Sequence, residues 1–275
     1  MRGESAWGSP WSVPMTQGEP PVPSMAPKPS MALFKKKRPE QALLPAKPDE
    51  SRERVVRREE IAMIQQPRGQ IAEQFRALRN SVVALNPDGA SRSVVLTSAV
   101  RGEGKTVSTL NLAVALAELP GNEVLIVDAD LHHPAIEEYL ELPSRQGLAD
   151  VLAGRCALDA AVRTTSIDGV SVMGAGSLPD NPTKLLGSDR MKVVLNQLKQ
   201  RFSFVLIDTP EAMTISDASL IGGMADGILL VVRLGSTPRH YVEQTHNTLE
   251  SLGGNVLGTC LTDATVEDTA RNYAR

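Results

Sequence analysis

The stretch TSAVRGEGKT, from Thr97 to Thr106, holds two glycines, a lysine and a hydroxyl at the spacing that grips phosphate. It follows the apolar run Val94, Val95, Leu96 and precedes a helical pattern from Val107 to Leu119, so it reads as strand, glycine-rich turn, helix. Gly102 and Gly104 allow the backbone to bend until several N–H groups point at one anion. The helix that follows adds the positive end of its dipole at the same place. Lys105 would reach the β- and γ-phosphates, and the Thr106 hydroxyl would enter a Mg²⁺ shell. Residues Arg101, Gly102, Glu103, Gly104, Lys105, Thr106 and Val107 thus form the expected nucleotide cradle. The pattern G-x-x-x-x-G-K-[ST] has glycine at its first place, where this chain has Ala99.

Two apolar runs further along end in carboxylates. Val124 to Val127 runs into Asp128 and Asp130, and Phe204 to Ile207 runs into Asp208. A carboxylate at the tip of a buried strand is costly to desolvate without a cation or hydrogen-bonding partner. A single one could be a helix cap or turn former. Three beside a phosphate loop point instead to Mg²⁺, a hard cation that takes oxygen ligands and bridges phosphate oxygens. Thr106, Asp130 and Asp208 are the expected metal ligands.

These residues need a sheet to bring them together. Strands are predicted over Val94 to Ser98, Val124 to Asp128, Val170 to Met173, Phe204 to Asp208, Gly227 to Arg233 and Asn255 to Leu261. Helical patterns lie over Lys105 to Leu119, Asp189 to Arg201, Asp217 to Gly223 and Pro238 to Leu252. In the first of these, Leu110, Ala113, Val114 and Ala117 recur at helical spacing and would face the sheet. Strands alternating with helices imply an α/β fold of three layers, α/β/α, with a mostly parallel central sheet. Ligands of such folds sit at the carboxyl ends of the strands, where all the residues above fall.

The 275 residues allow one such domain plus extensions, here 1–60, 61–264 and 265–275. Residues 1–30 are rich in Pro, Ser and Gly, with Trp7 and Trp11 isolated among them, which predicts a disordered N-terminal extension. Met31 could be a second start of translation. The basic cluster Lys35 to Arg38 is either a solvated tail or a contact for anionic lipid, and Ser51 to Glu60 reads as linker or frayed helix. Net charge is −3, so no global field argues for nucleic acid. Cys156 and Cys260 lack metal-ligand spacing and read as packed thiols in a reducing compartment. No apolar run approaches the ~18 residues that cross a bilayer, and Met1 to Ser5 lacks the apolar core of a secretory signal. The expectation is a cytoplasmic protein recruited to the inner face of the plasma membrane by a partner.

The phosphate loop, Asp128-Ala129-Asp130 and Asp208-Thr209-Pro210 resemble the three Walker-type motifs of bacterial tyrosine kinases of the capsular and exopolysaccharide systems. The resemblance covers roughly Glu73 to Ala264. It includes the strings Gly176 to Leu186, Ser216-Asp217-Ala218 and Ala225 to Arg233. Related ATPases that position chromosomes and division sites carry a lysine where this chain has Val100, which favours the kinase branch. Glu73, Arg76 and Arg79 match the Glu-x-x-Arg-x-x-Arg element that the family uses for ring-like self-association. By spacing alone these residues share one helical face, and a solvated intrahelical ion pair is the default reading.

The resemblance implies ATP and Mg²⁺ as cofactors, a homo-oligomer, and a membrane-anchored polysaccharide chain-length regulator as activator. It implies phosphoryl transfer to tyrosine, with Lys105, Asp128, Asp130 and Asp208 catalytic and Asp128 orienting or deprotonating the acceptor hydroxyl. An ATPase switch that regulates polysaccharide assembly by nucleotide-dependent oligomerisation, or a structural adaptor, would carry the same motifs. The chain departs from the family pattern at Arg101, usually proline, and at His132, usually arginine. It departs also at Thr262, often asparagine, and at Glu211, usually a second proline. The family's tail has a tyrosine cluster. This chain has Tyr139, Tyr241 and Tyr273 only, and Tyr273 is the candidate phosphoacceptor.

Overall fold

The computed structural model describes residues 60–264, apart from Pro87 and Ser91. The expected N-terminal extension, the basic cluster and Tyr273 lie outside the described residues. The chain begins with α1 (Ala62–Gln65), α2 (Gln70–Ala84), β1 (Arg92–Ser98), α3 (Lys105–Ala117) and β2 (Val124–Asp128). Four short helices follow around two strands: α4 (Ile136–Tyr139), α5 (Leu148–Leu152), α6 (Leu158–Ala161), β3 (Arg163–Thr164), β4 (Val170–Met173) and α7 (Pro182–Leu186). The remainder alternates regularly: α8 (Asp189–Lys199), β5 (Phe204–Asp208), α9 (Asp217–Gly222), β6 (Gly227–Arg233), α10 (Arg239–Ser251) and β7 (Val256–Thr262).

The seven strands form one sheet in the order β3-β4-β2-β5-β1-β6-β7, parallel except for the β3–β4 pair. Strand side chains alternate between faces, and the core divides accordingly. Val95, Leu125, Val127, Val205, Ile207 and Leu230 join one cluster, with Met191, Leu195, Leu198, Ile221 and Leu249 of α8, α9 and α10 packed on it. Val94, Leu96, Val124, Ile126, Phe204 and Leu206 join the other, beneath Leu110, Leu112, Ala113 and Leu116 of α3. The strands are apolar on both faces because both faces are covered, giving the expected three layers. By the same parity Asp128 continues the face of Val124 and Ile126, and Asp208 that of Phe204 and Leu206. Both therefore lie on the side of α3.

Every expected strand is present, with β1 beginning two residues earlier than the apolar run because Arg92 and Ser93 pair with Phe204 and Val205. The two-residue β3 and the short helices α4 to α7 carry too little periodicity to stand out in the sequence. Helix α3 differs from the expected one-faced helix, since Leu112, Ala115 and Leu116 are buried too. Its outer side is covered by α1 and α2. Asn111, fully buried, accepts a hydrogen bond from Met63 N (3.0 Å) and donates to Val107 O (2.9 Å) and Glu60 O (3.3 Å). Arg76 of α2 makes a bidentate contact with Glu118 at the end of α3 (2.5 and 2.8 Å), and Arg79 reaches Glu118 at 3.1 Å. The helix that opens at the phosphate loop is thus held from outside as well as from the sheet.

Replacing Asn111 by leucine leaves the Met63 N–H without its acceptor in a buried place. We expect chemical denaturation of Asn111→Leu to show a loss of about 1–3 kcal/mol. An unchanged denaturation midpoint would show that residues 60–65 are not anchored through this side chain.

Candidate functional site

Strand order sets the geometry of the site. β1 leads through α3 across β5 to β2 on one side, whereas β5 leads through α9 to β6 on the other. The crevice where connections diverge is where α/β sheets bind ligands. In the register, Asp128 is paired with Asp208 and Leu96 with Asp208, so two carboxylates stand side by side on adjacent strands. β1 extends two residues beyond them to Ser98 and opens the loop that wraps over their tips.

The loop needs its glycines for their backbone angles. Gly102 has φ +87° and Gly104 φ +90°, in the left-handed region that L side chains rarely adopt. A Cβ on Gly104 would find only ordinary contact with Thr262, so the angle and not space demands glycine. Ala99, where the general pattern has glycine, is fully buried. Glu103 is buried as well, but its side chain turns away from the recess. It accepts from Arg233 N (2.8 Å) and from the Thr237 hydroxyl, while Thr262 Oγ1 donates to Glu103 O (2.7 Å). The loop is thereby tied to the ends of β6 and β7, a role that its type and spacing did not signal.

On the inner side, Lys105 is almost fully buried and its Nζ donates to Ser98 Oγ at 3.2 Å. Thr106 Oγ1 donates to Asp208 Oδ2 at 2.6 Å. Arg101, Thr106, Asp130, His133 and Glu211 line the recess beside the loop. The structure therefore gathers Lys105, Thr106, Asp128, Asp130 and Asp208 at one edge of the sheet, with residues 101–107 around them.

The three aspartates differ in their surroundings. Asp128 accepts at Oδ2 from Ala135 N and Ile136 N (both 3.0 Å) and at Oδ1 from Asp130 N (3.2 Å). Burial, and then the charge of Asp208, push its acid strength well down, so its pKa lies well above the usual carboxylate range. Asp130 is half-buried and accepts at Oδ1 from His132 N (3.2 Å) and His133 N (2.9 Å). Asp208 is buried, and burial raises its pKa to about 7 against the opposing pull of Thr106 and Lys105. Its Oδ1 has no hydrogen-bond partner.

That orphaned oxygen is the observation against which Mg²⁺ can be tested. An unpaired buried carboxylate oxygen is costly until a proton, a water or a cation satisfies it. With the Thr106 hydroxyl and half-exposed Asp130, it offers the hard oxygen donors Mg²⁺ requires. Among the described residues no group of three or more His, Cys, Asp or Glu side chains could hold a metal alone. Nucleotide and water would have to complete the shell, as Mg²⁺ ordinarily allows. The residues fit the ion.

A model of an AAA domain matches residues 92–256. The chain is 32% identical over 203 residues to the tyrosine-protein kinase YwqD of Bacillus subtilis, covering 74% of this chain and 85% of that protein. The chain belongs to the bacterial tyrosine kinase family. It is similar also to the putative tyrosine-protein kinase CapB of Staphylococcus aureus, 27% identical, covering 75% of this chain and 90% of that one. Among solved structures, the kinase domain of Escherichia coli tyrosine kinase ETK matches with a TM-score of 0.70 and 28% identity, over 75% of this chain and 82% of that chain. The septum site-determining protein MinD of Pyrococcus horikoshii, complexed with Mg-ADP, matches with a TM-score of 0.54 and 28% identity, over 62% of this chain and 70% of that chain.

Other members of the site were given no role from sequence, although Thr183 and Asp217 fall in strings that carry the family resemblance. Ser98 holds Lys105, and its hydroxyl donates to Val100 O (2.6 Å). Thr183 and Asp217 join the loop after β2 to its neighbours. Asn181 followed by Pro182 was a readable start signal for α7, with Asn181 Oδ1 accepting from Lys184 N. Glu73 is paired with Arg76 within α2, so the expected oligomer element is engaged inside the chain.

The raised pKa of Asp208 has a defined effect on metal-free protein. Unfolded, the group titrates near 3.8, and folded, at about 7, so the native state holds the proton more tightly. Stability therefore falls as pH rises from about 4 to 7, and the loss is complete above 7. Asp208→Asn removes this dependence. Urea denaturation should find it more stable than the parent at pH 8, by on the order of 1–4 kcal/mol, with the gain vanishing near pH 4. A variant less stable than the parent at pH 8 would mean that Asp208 is not held against its own charge.

Proposed function

We propose that this chain transfers the γ-phosphoryl group of ATP to a tyrosine hydroxyl and thereby regulates polysaccharide polymerisation or export. The observation that carries this is the meeting of Asp128, Asp208 and the amino end of α3 at one sheet edge. Kinship to proteins named tyrosine-protein kinases supports the choice of acceptor. Phosphoryl transfer asks chiefly for positioning and charge neutralisation, which this constellation offers.

In this reading the N–H groups of residues 102–106 cradle the phosphates. Lys105 leaves Ser98 Oγ for the transferring group. Thr106, Asp130 and Asp208 hold Mg²⁺ directly or through water. Bound there, the ion would neutralise charge on the β- and γ-phosphate oxygens. Asp128 first shapes the loop after β2, since both its oxygens receive backbone N–H groups. Its Oδ1 accepts a single bond and keeps a lone pair with which it would orient or deprotonate an incoming hydroxyl, once ionised.

Two of the three tyrosines are poor acceptors, because Tyr139 and Tyr241 are buried. Tyr273 is the remaining candidate in the chain, and a partner's tyrosine is the other. The buried tyrosines also favour the second reading, a nucleotide-dependent switch without phosphotransfer. Antibody detection of phosphotyrosine after incubation with MgATP separates these. We expect a signal that Lys105→Ala reduces by orders of magnitude, and that Tyr273→Phe removes if the acceptor is in cis. No phosphotyrosine on the chain or on co-expressed proteins would leave the switch.

The proposal includes activation by a membrane-anchored regulator, which would bring the chain to the inner membrane face. Among the described residues no helix is long and apolar enough to cross a membrane. It also includes self-association through Glu73, Arg76 and Arg79. Glu73 remains largely exposed beside its arginine, at 64% of its side chain, so it can meet a second copy without the Arg76–Glu118 pair breaking. Sedimentation in MgATP should show an assembly that Glu73→Arg dissociates. An unchanged assembly would place the contact elsewhere.

A further inference from the structure

The loop that carries Asp130 is fastened at a point away from the recess. His132 Nε2 lies 3.0 Å from Asp217 Oδ2, and the Thr183 hydroxyl donates to Asp217 Oδ1 at 2.6 Å. Asp217 opens α9 and is fully buried, whereas Thr183 sits in α7. One carboxylate thus joins three connections at the sheet's carboxyl edge, those that follow β2, β4 and β5. A carboxylate only accepts, so the proton of the His132 bond resides on Nε2.

The same residue donates its backbone N–H to Asp130 Oδ1 (3.2 Å), beside that of His133 (2.9 Å). Fixing the ring of His132 therefore fixes the turn that aims Asp130. The rest of that segment is held by the bond from Asp130 N to Asp128 Oδ1, by buried Leu131, and further along by Ala135 N and Ile136 N on Asp128 Oδ2. None of these ties reaches the half-exposed Asp130 carboxylate, which receives its backbone bonds from His132 and His133. A carboxylate held within about 0.5 Å of its working place needs support of this kind.

We infer that His132 and Asp217 are positioning residues, which hold Asp130 where it can meet a divalent cation beside the phosphates. This rests on the reading of the recess as a MgATP site. Thr183 orients Asp217, Asp217 orients the imidazole, and the backbone of His132 presents Asp130. The pair touches neither nucleotide nor acceptor, so its loss is read in metal binding rather than in the phosphate cradle.

The test is titration of the full chain with a fluorescent N-methylanthraniloyl ATP, once with excess MgCl₂ and once with EDTA. The parent should bind more tightly with Mg²⁺. In His132→Ala that gain should shrink by about tenfold or more, the usual effect of removing a group behind a metal ligand. Affinity in EDTA should stay within about twofold. His132→Gln, whose side-chain amide can place an N–H near the Nε2 position, should regain most of the difference. An undiminished gain in His132→Ala, an equal loss with and without Mg²⁺, or a glutamine variant as defective as alanine would each overturn the inference. A parent chain that binds nucleotide no better with Mg²⁺ would overturn the MgATP reading itself, and this inference with it.

Discussion

Two carboxylates abreast at the tips of adjacent buried strands are the constraint around which this molecule is built. Asp128 and Asp208 share a register position and a face of the sheet, so the charge of Asp208 adds to the cost of ionising the buried Asp128. Left alone, such a pair would be among the most destabilising features of the core. The surrounding loops are arranged as partial answers to it. Three backbone N–H groups converge on Asp128, and Thr106 and Lys105 approach Asp208 from the first turn of α3. One oxygen of Asp208 remains without a partner, which gives the site an appetite for a cation.

The same requirement explains how firmly α3 is held. Its amino end brings Lys105 and Thr106 to the buried carboxylates, and the sheet contacts only one side of it. Asn111 secures its outer face to residues 60–63, and Glu118 secures its far end to Arg76 and Arg79. At the other side of the loop, the buried side chain of Glu103 fastens the turn to the β6–α10 connection. The loop between β1 and α3 is therefore clamped at both flanks, and its glycines bend within fixed limits.

Kinship and geometry are complementary here. Similarity to proteins named tyrosine-protein kinases places the chain in a family, while the site shows how this member meets the family's requirements with its own residues. His132 stands where the family pattern has arginine, and it finds a buried carboxylate within hydrogen-bonding reach. Glu211, in place of a second proline, lines the recess and accepts from Thr214. Neither departure breaks the constellation of lysine, threonine and aspartates.

The sequence by itself determined the strands, the turn and the sheet edge where chemistry would lie. Apolar runs ending in aspartate, and glycines bracketing Glu103 ahead of Lys105, are local patterns whose meaning needs no distant partner. What it left open were relations between remote segments. That Asp128 and Asp208 stand abreast follows from the position of β5 between β1 and β2. Glu103 could be known as a clamp only once β6 and β7 lay beside the loop. The engagement of Arg76 with Glu118 needed α2 laid along α3, and the union of His132, Thr183 and Asp217 needed three loops folded to one edge. Local conformational preference is written in neighbouring residues, whereas hydrogen bonds across 34 to 159 positions exist only when packing brings their ends together.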